Sequence, residues 1–136
     1  MHTLHTTWVS GMAFEAQLGN HTLRMDTTGE GGHDTGPGPK KLMLAALAGC
    51  TGIDVVSILQ KMKVLFSDFT INIDAGLTDE HPKIYKDVVV KYVIKVDSAN
   101  QDKMIKAVEL SKQKYCGVYA MFTSFCTVTT QIDFIE

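Results

Sequence analysis

Polar and apolar residues alternate in three short runs over the first 26 positions: Leu4 to Val9, Ala13 to Leu18 and His21 to Asp26. A period of two places alternate side chains on one face and predicts half-buried strands. Gly19-Asn20 lies between the second and third runs and supplies the positive φ of a two-residue hairpin turn. Residues 27–41, TTGEGGHDTGPGPKK, are too rich in Gly and Pro for a regular element and read as a connector. Pro39 then opens a helix, since a first helical residue needs no N–H. The nearly unbroken apolar run Leu42 to Leu59 carries that helix to about Lys63. Alternation returns over Phe66 to Leu77, with Phe69, Ile71, Ile73 and Ala75 on one face, and over Tyr85 to Val96, with Val88, Val90, Tyr92, Ile94 and Val96. Asp79-Glu80-His81-Pro82 forms the loop between these two strands. Ser98 and Gln101 have capping-box spacing and open a second helix, reaching about Lys114, with Met104, Ile105 and Val108 inward. A short helix over Cys116 to Phe122 and a strand over Cys126 to Ile135, with Val128, Thr130, Ile132 and Phe134 alternating, complete the chain.

The order βββ–α–ββ–α(α)–β has too many strands, too irregularly spaced, for an alternating α/β fold. It predicts an α+β fold with a largely antiparallel sheet. At 136 residues the chain is expected to form one domain, 1–136, around one core. One sheet covers only one face of a helix of about 25 apolar-rich residues, so the rest is expected against a second copy of the chain or, alternatively, inside a larger internal core built with the second helix.

Composition narrows the classes of function. Apolar residues make up 45% and charged residues 21%, as in ordinary globular chains, and the net charge is −2 with no basic run. Nucleic-acid and anionic-membrane binding are therefore not expected. The start MHTLHTTW lacks the cationic and apolar segments of a secretory signal. Leu42 to Leu59 is nearly long enough to cross a bilayer, but Asp54, Ser57, Gly49 and Gly52 interrupt it, so a buried helix is the expectation. Three cysteines, an odd count, argue against a disulfide framework and for a reducing, cytoplasmic setting.

Most catalytic motifs are missing. GPGPKK puts prolines where a phosphate loop needs donor N–H groups and lacks its Gly-Lys-Ser/Thr ending. The five histidines have no short metal-ligand spacing to one another or to a cysteine, no nucleophile elbow is present, and no cofactor or metal is expected. Three thiols remain. Cys50, on an Ala/Leu-rich helix, fits a small buried hydrophobe, and Cys126 at the start of a strand reads as structural. Cys116 follows Lys112, Lys114 and Tyr115 and begins a short helix, where cations and aligned N–H groups favour a thiolate. Electrostatics alone point to Cys116 as the more reactive thiol.

PGPKKLMLAALAGCTGIDVVSILQKMK, with ELSKQKYCGVYAMF and a closing strand, resembles the OsmC/Ohr family over nearly the whole chain. The run Asp54-Val55-Val56-Ser57-Ile58-Leu59 is most similar to the less characterised OsmC-like branch. The resemblance implies a long central helix in an intertwined homodimer with active sites at the interface. It also implies a thiol-dependent peroxidase that reduces organic hydroperoxides, with Cys50 as the peroxidatic cysteine and Cys116 as the resolving one. This reverses the electrostatic order of the two thiols. The implied partners are a small hydrophobic hydroperoxide and a dithiol reductant. Family members stabilise the thiolate with an arginine and orient it with a glutamate near the start of the central helix. Arg24 is the single arginine here and is assigned the first role, while Lys40 and Lys41 stand where the acid is expected. Two alternatives share the same scaffold: a non-catalytic dimer holding a small hydrophobic ligand, modestly favoured by that departure, and a cysteine redox sensor.

Overall fold

The computed structural model describes residues 1–136. Two compact units, Met1–Ala45 and Ala46–Glu136, divide the chain. In the first, strands β1 (His5–Ser10), β2 (Ala13–Leu18) and β3 (His21–Met25) form an antiparallel meander. Its turns use Gly11 and Gly19 at positive φ, 54° and 58°, a region glycine enters without steric cost.

The Gly/Pro connector after β3 is an ordered loop held by Asp26. The buried Asp26 carboxylate accepts from the backbone N–H of Thr27 (2.7 Å) and Thr35 (3.0 Å) and from the Thr35 hydroxyl, and its own N–H donates to the Pro37 carbonyl (3.2 Å). Gly32 is required by this closure, because a Cβ there would lie 2.0 Å from the Thr27 carbonyl oxygen. The Thr35 hydroxyl first, then these backbone donors, hold the Asp26 carboxyl well below the usual carboxylate range. A depressed folded-state value means stabilisation that is present above about pH 4 and lost as pH falls through the folded value. Asp26→Asn is therefore expected to lower stability at neutral pH and to flatten the acid limb of the stability curve. Urea unfolding from pH 7 down to pH 2 checks this, and parallel curves for the two proteins would contradict it.

Helix α1 (Pro39–Lys61) spans the junction between the units. It ends two residues before the sequence reading, at a Schellman motif: Lys63 takes φ 58°, and N–H groups of Lys63 and Val64 reach the carbonyls of Gln60 (3.0 Å) and Leu59 (2.9 Å). Although the helix is apolar on nearly all sides, only the i,i+4 stripe Leu47, Thr51, Val55 and Leu59 is buried. Each of the three aliphatic members contributes about 1.5–3 kcal/mol of burial. Ile53 is 73% exposed.

The second unit contains a separate three-stranded sheet, β4 (Phe66–Leu77), β5 (Tyr85–Val96) and β6 (Thr127–Ile135), with β5 central. The chain thus has two sheets where the strand pattern suggested one. The β4–β5 pair is antiparallel, whereas β6 runs parallel to β5 from Asp87↔Thr127 to Lys95↔Ile135. Parallel pairing needs a crossover. The chain supplies one in a 3₁₀ turn (Ser98–Asn100), α2 (Gln101–Leu110), a π-helical turn (Ser111–Tyr115) and α3 (Gly117–Thr123). Val88, Val90, Tyr92 and Ile94 form the buried face of β5, as their alternation predicts.

Two expectations for α2 are corrected. No Ser98–Gln101 capping box forms; the start is tightened by backbone bonds, with the Asn100 N–H on the Asp97 carbonyl (2.8 Å) and the Gln101 N–H on that of Ser98. The inner face is Met104, Ala107 and Val108, while Ile105 is 44% exposed. Positions 104, 107 and 108 follow i,i+3,i+4, and 105 lies off that stripe.

Candidate thiol site

Cys50 and Asp54 are four residues apart on α1, so they share one helix face a turn apart. Cys116 arrives from the crossover. The Cys116 N–H closes the π-helical turn on the Ser111 carbonyl (2.8 Å), and Cys116 then caps α3, its Sγ accepting from the Tyr119 N–H at 3.3 Å. The extra residue in such a turn re-aims side chains, and π-turns recur at functional sites. Here it presents both Ser111 and Cys116 to α1. The two sulfurs and an Asp54 carboxylate oxygen all lie within 4.8 Å of one another, and both thiols are free. Cys50 is half-buried and Cys116 is 4% exposed.

A chain of hydroxyls supports the carboxylate. Ser111 Oγ donates to Asp54 Oδ2 (2.9 Å), Thr51 Oγ1 lies 2.8 Å from Ser111 Oγ, and Tyr92 Oη lies 2.7 Å from Thr51 Oγ1. Each hydroxyl has one proton. Because that of Ser111 is committed to Asp54, Thr51 donates to Ser111 and Tyr92 donates to Thr51. The direction is fixed along the whole chain, ending on the acid. Thr51, Ser111 and Tyr92 are fully buried, and no buried side-chain polar atom lacks a partner. Burial pushes the Tyr92 hydroxyl up to about 12, against the opposing hydrogen bond to Thr51, so it keeps its proton as donor.

The electrostatic preference for Cys116 meets an opposing effect in its burial. Burial pushes its thiol up to about 12, the adjoining Cys50 side chain and the Asp54 charge add to the shift, and the Tyr119 N–H only partly opposes it. The cations expected beside it are engaged elsewhere. Lys112 Nζ lies 3.4 Å from Glu109 and 3.1 Å from Thr130, and Lys114 Nζ sits over the Tyr115 ring at 5.3 Å. Burial thus favours the neutral thiol of Cys116.

The remaining predicted residues are placed as follows. Arg24, on β3, donates to Glu15 (3.1 Å) and Thr35 (2.8 Å). Lys40 and Lys41 are exposed in the first turn of α1, which contains no acid. Cys126 is outside the cluster, its Sγ donating to the Phe122 carbonyl (3.3 Å). Thr51, Ser111 and Tyr92 were missed by sequence reasoning. The i,i+4 spacing of Cys50 and Asp54 was the one signal available for Asp54, and no local pattern marks the three hydroxyls.

A cleft of about 360 Å³ opens beside the cluster, lined by Asp54, Ile58, Lys61, Met62, Leu110 and Tyr115 among others. A larger cavity, about 600 Å³, lies where β4 begins and β5 and β6 end, and contains none of the cluster residues. Two free thiols this close, one accessible and one buried, have the arrangement of a redox-active cysteine pair.

Residues 31–131 match the family model described as OsmC-like protein. Protein YhfA of Escherichia coli K12 is 30% identical over 129 residues, covering 94% of each chain. A crystal structure of a hypothetical protein from Aquifex aeolicus superposes with a TM-score of 0.82 at 26% identity, covering 100% of this chain and 98% of the other. An organic hydroperoxide resistance protein OsmC from Legionella pneumophila, also described as a predicted redox protein, has the same fold, with a TM-score of 0.67, 18% identity and 98% of each chain covered. On the family match, the full-length relative and the cysteine pair, this chain belongs to the OsmC-like family.

Proposed function

We propose that the protein is a cysteine-based hydroperoxide reductase that works as a homodimer in the cytoplasm and protects against oxidative stress. The observation that carries this reading is the pairing of a half-buried Cys50 with a buried, free Cys116, sulfur against sulfur within 4.8 Å. In this reaction the Cys50 thiolate attacks the O–O bond of an organic hydroperoxide, taking one oxygen as sulfenic acid, and the alkoxide takes a proton and leaves as alcohol. Cys116, as a thiol, then condenses with the sulfenic acid to form the Cys50–Cys116 disulfide and water. A dithiol donor returns both cysteines to thiols and becomes a disulfide itself. The roles follow access: the more open sulfur meets substrate and the buried one resolves it.

Ile58, Met62, Leu110 and Tyr115 give the cleft beside Asp54 an apolar wall that suits a fatty or aromatic hydroperoxide better than hydrogen peroxide. The family resemblance assigns thiolate stabilisation to Arg24, whose guanidinium bonds Glu15 and Thr35 within this chain. The exposed apolar residues of α1, Met43 and Ile53 among them, support a second copy of the chain against this helix.

The test is intact mass of the reduced protein before and after one equivalent of cumene hydroperoxide, with peptide mapping. A loss of about 2 Da mapping to Cys50–Cys116 is expected. Three thiols still free after treatment would refute the reading and leave a ligand-binding dimer in its place.

A further inference from the structure

The molecule's side-chain ion pairs are Arg24–Glu15, Lys91–Asp74 and Lys112–Glu109. Asp54 belongs to none of them, although its carboxylate lies against two sulfurs. A carboxylate and two ionisable thiols thus converge with no basic side chain paired to them. Such a set lacks only positive charge. The donors are also the right kind: two soft sulfurs and one oxygen select a borderline-soft divalent ion such as zinc over magnesium or calcium, which take oxygen ligands.

We propose that the reduced Cys50–Asp54–Cys116 cluster is a zinc-type metal site with three protein ligands and one open position, and that metal and disulfide are mutually exclusive states of it. Metal–sulfur bonds of about 2.3 Å and a metal–oxygen bond near 2.1 Å at tetrahedral angles put donor atoms about 3.5–3.8 Å apart. The three donor atoms, all within 4.8 Å of one another, need no more than about 1 Å of side-chain adjustment to meet that geometry. The support around the carboxylate is already built. Asp54 accepts from Ser111 through Oδ2, which leaves Oδ1 for a metal, and Thr51 and Tyr92 hold Ser111 from behind. Outer hydrogen bonds of this kind orient metal ligands, and their loss typically costs 10–100-fold in affinity.

Binding replaces the two thiol protons by the metal ion. Oxidation reverses it: disulfide formation takes one electron from each thiolate, the ion leaves as the divalent cation, and the oxidant takes both electrons. With a hydroperoxide, those electrons and two protons give alcohol and water. Metal binding to the reduced cluster does not depend on the hydroperoxide reading; only the competition with a peroxide rests on it.

The experiment is anaerobic titration of the reduced, metal-free protein with Co²⁺, followed by Zn²⁺. One equivalent per chain is expected to give sulfur-to-cobalt charge transfer in the near ultraviolet and the visible bands of a tetrahedral ion, both erased by Zn²⁺. Asp54→Asn and Ser111→Ala are each expected to weaken cobalt binding at least tenfold, and Cys50→Ser or Cys116→Ser to lose half the charge-transfer intensity. Cys126→Ser is expected to bind like the parent chain. Because a variant can lose binding by unfolding, the parent chain oxidised with diamide is the second test, and it is expected to take up no cobalt with sulfur ligation. A titration without charge transfer, with charge transfer undiminished by Cys50→Ser and by Cys116→Ser, or with charge transfer that survives diamide, overturns the proposal. A chain that binds cobalt through sulfur while cumene hydroperoxide leaves its thiols free refutes the peroxidase reading alone. The reverse pair of results refutes the metal site alone.

Discussion

Replacing Cys50 by serine is expected to bring hydroperoxide consumption down to the rate of buffer alone, because no other thiol in the chain combines access with a nearby partner. Cys126 is bonded to the Phe122 carbonyl, and Cys116 is buried with its thiol pushed up by that burial. Cys116→Ser is expected to behave differently. A first equivalent of peroxide still oxidises Cys50, and the mass rises by about 16 Da as sulfenic acid accumulates, but turnover with a dithiol falls steeply because the serine hydroxyl forms no disulfide. Stopped-flow peroxide loss together with intact mass separates the two variants. Identical behaviour in both would mean that the roles are not divided as access divides them. Retained turnover in Cys50→Ser would remove the enzyme reading altogether.

The second large effect is on stability. Thr51→Val keeps the shape of the side chain but leaves the Tyr92 hydroxyl, fully buried, with nothing to accept its proton. Such an orphan costs about 1–3 kcal/mol. Ser111 also loses a partner but keeps its bond to Asp54 (2.9 Å). Tyr92→Phe deletes the hydroxyl with its proton and is expected to cost about 1 kcal/mol, since Thr51 keeps Ser111. The double variant Thr51→Val/Tyr92→Phe removes both ends of the bond. It is therefore expected to be more stable than the sum of the singles predicts, by about 1 kcal/mol or more. Urea unfolding at one fixed protein concentration measures the cycle, with concentration held because an oligomer's stability depends on it. Strict additivity would mean that the Tyr92 hydroxyl finds another partner once Thr51 is gone.

Several elements were legible from the chain because their causes are local. Pro39 marks the start of α1, the alternation over Tyr85–Val96 marks the face of β5 that is buried, and Gly19 sits where the hairpin turn needs positive φ. The end of α1 was less legible, because a Schellman motif usually announces itself with glycine and here uses Lys63. The pairing of β6 with β5 was not legible at all. Its residues alternate identically in a parallel or an antiparallel ladder, and the direction follows from how the α2–α3 crossover traverses the sheet.

The candidate site divides in the same way. The sequence by itself determined three cysteines, the one-turn spacing that sets Cys50 and Asp54 on one helix face, and a family resemblance that ranks Cys50 ahead of Cys116. Its electrostatic ranking counted charges along the chain, where Lys112 and Lys114 are neighbours of Cys116. In space, both lysines have other partners. The tertiary structure alone decided that the Cys116 and Cys50 sulfurs meet, that a π-helical turn delivers Ser111 beside them, and that Thr51 and Tyr92 complete a one-way hydroxyl chain to Asp54. The physical reason is that burial, which raises a thiol's pKa and makes each hydroxyl's single proton count, belongs to packing between segments 41 and 60 residues apart, and no local periodicity encodes it.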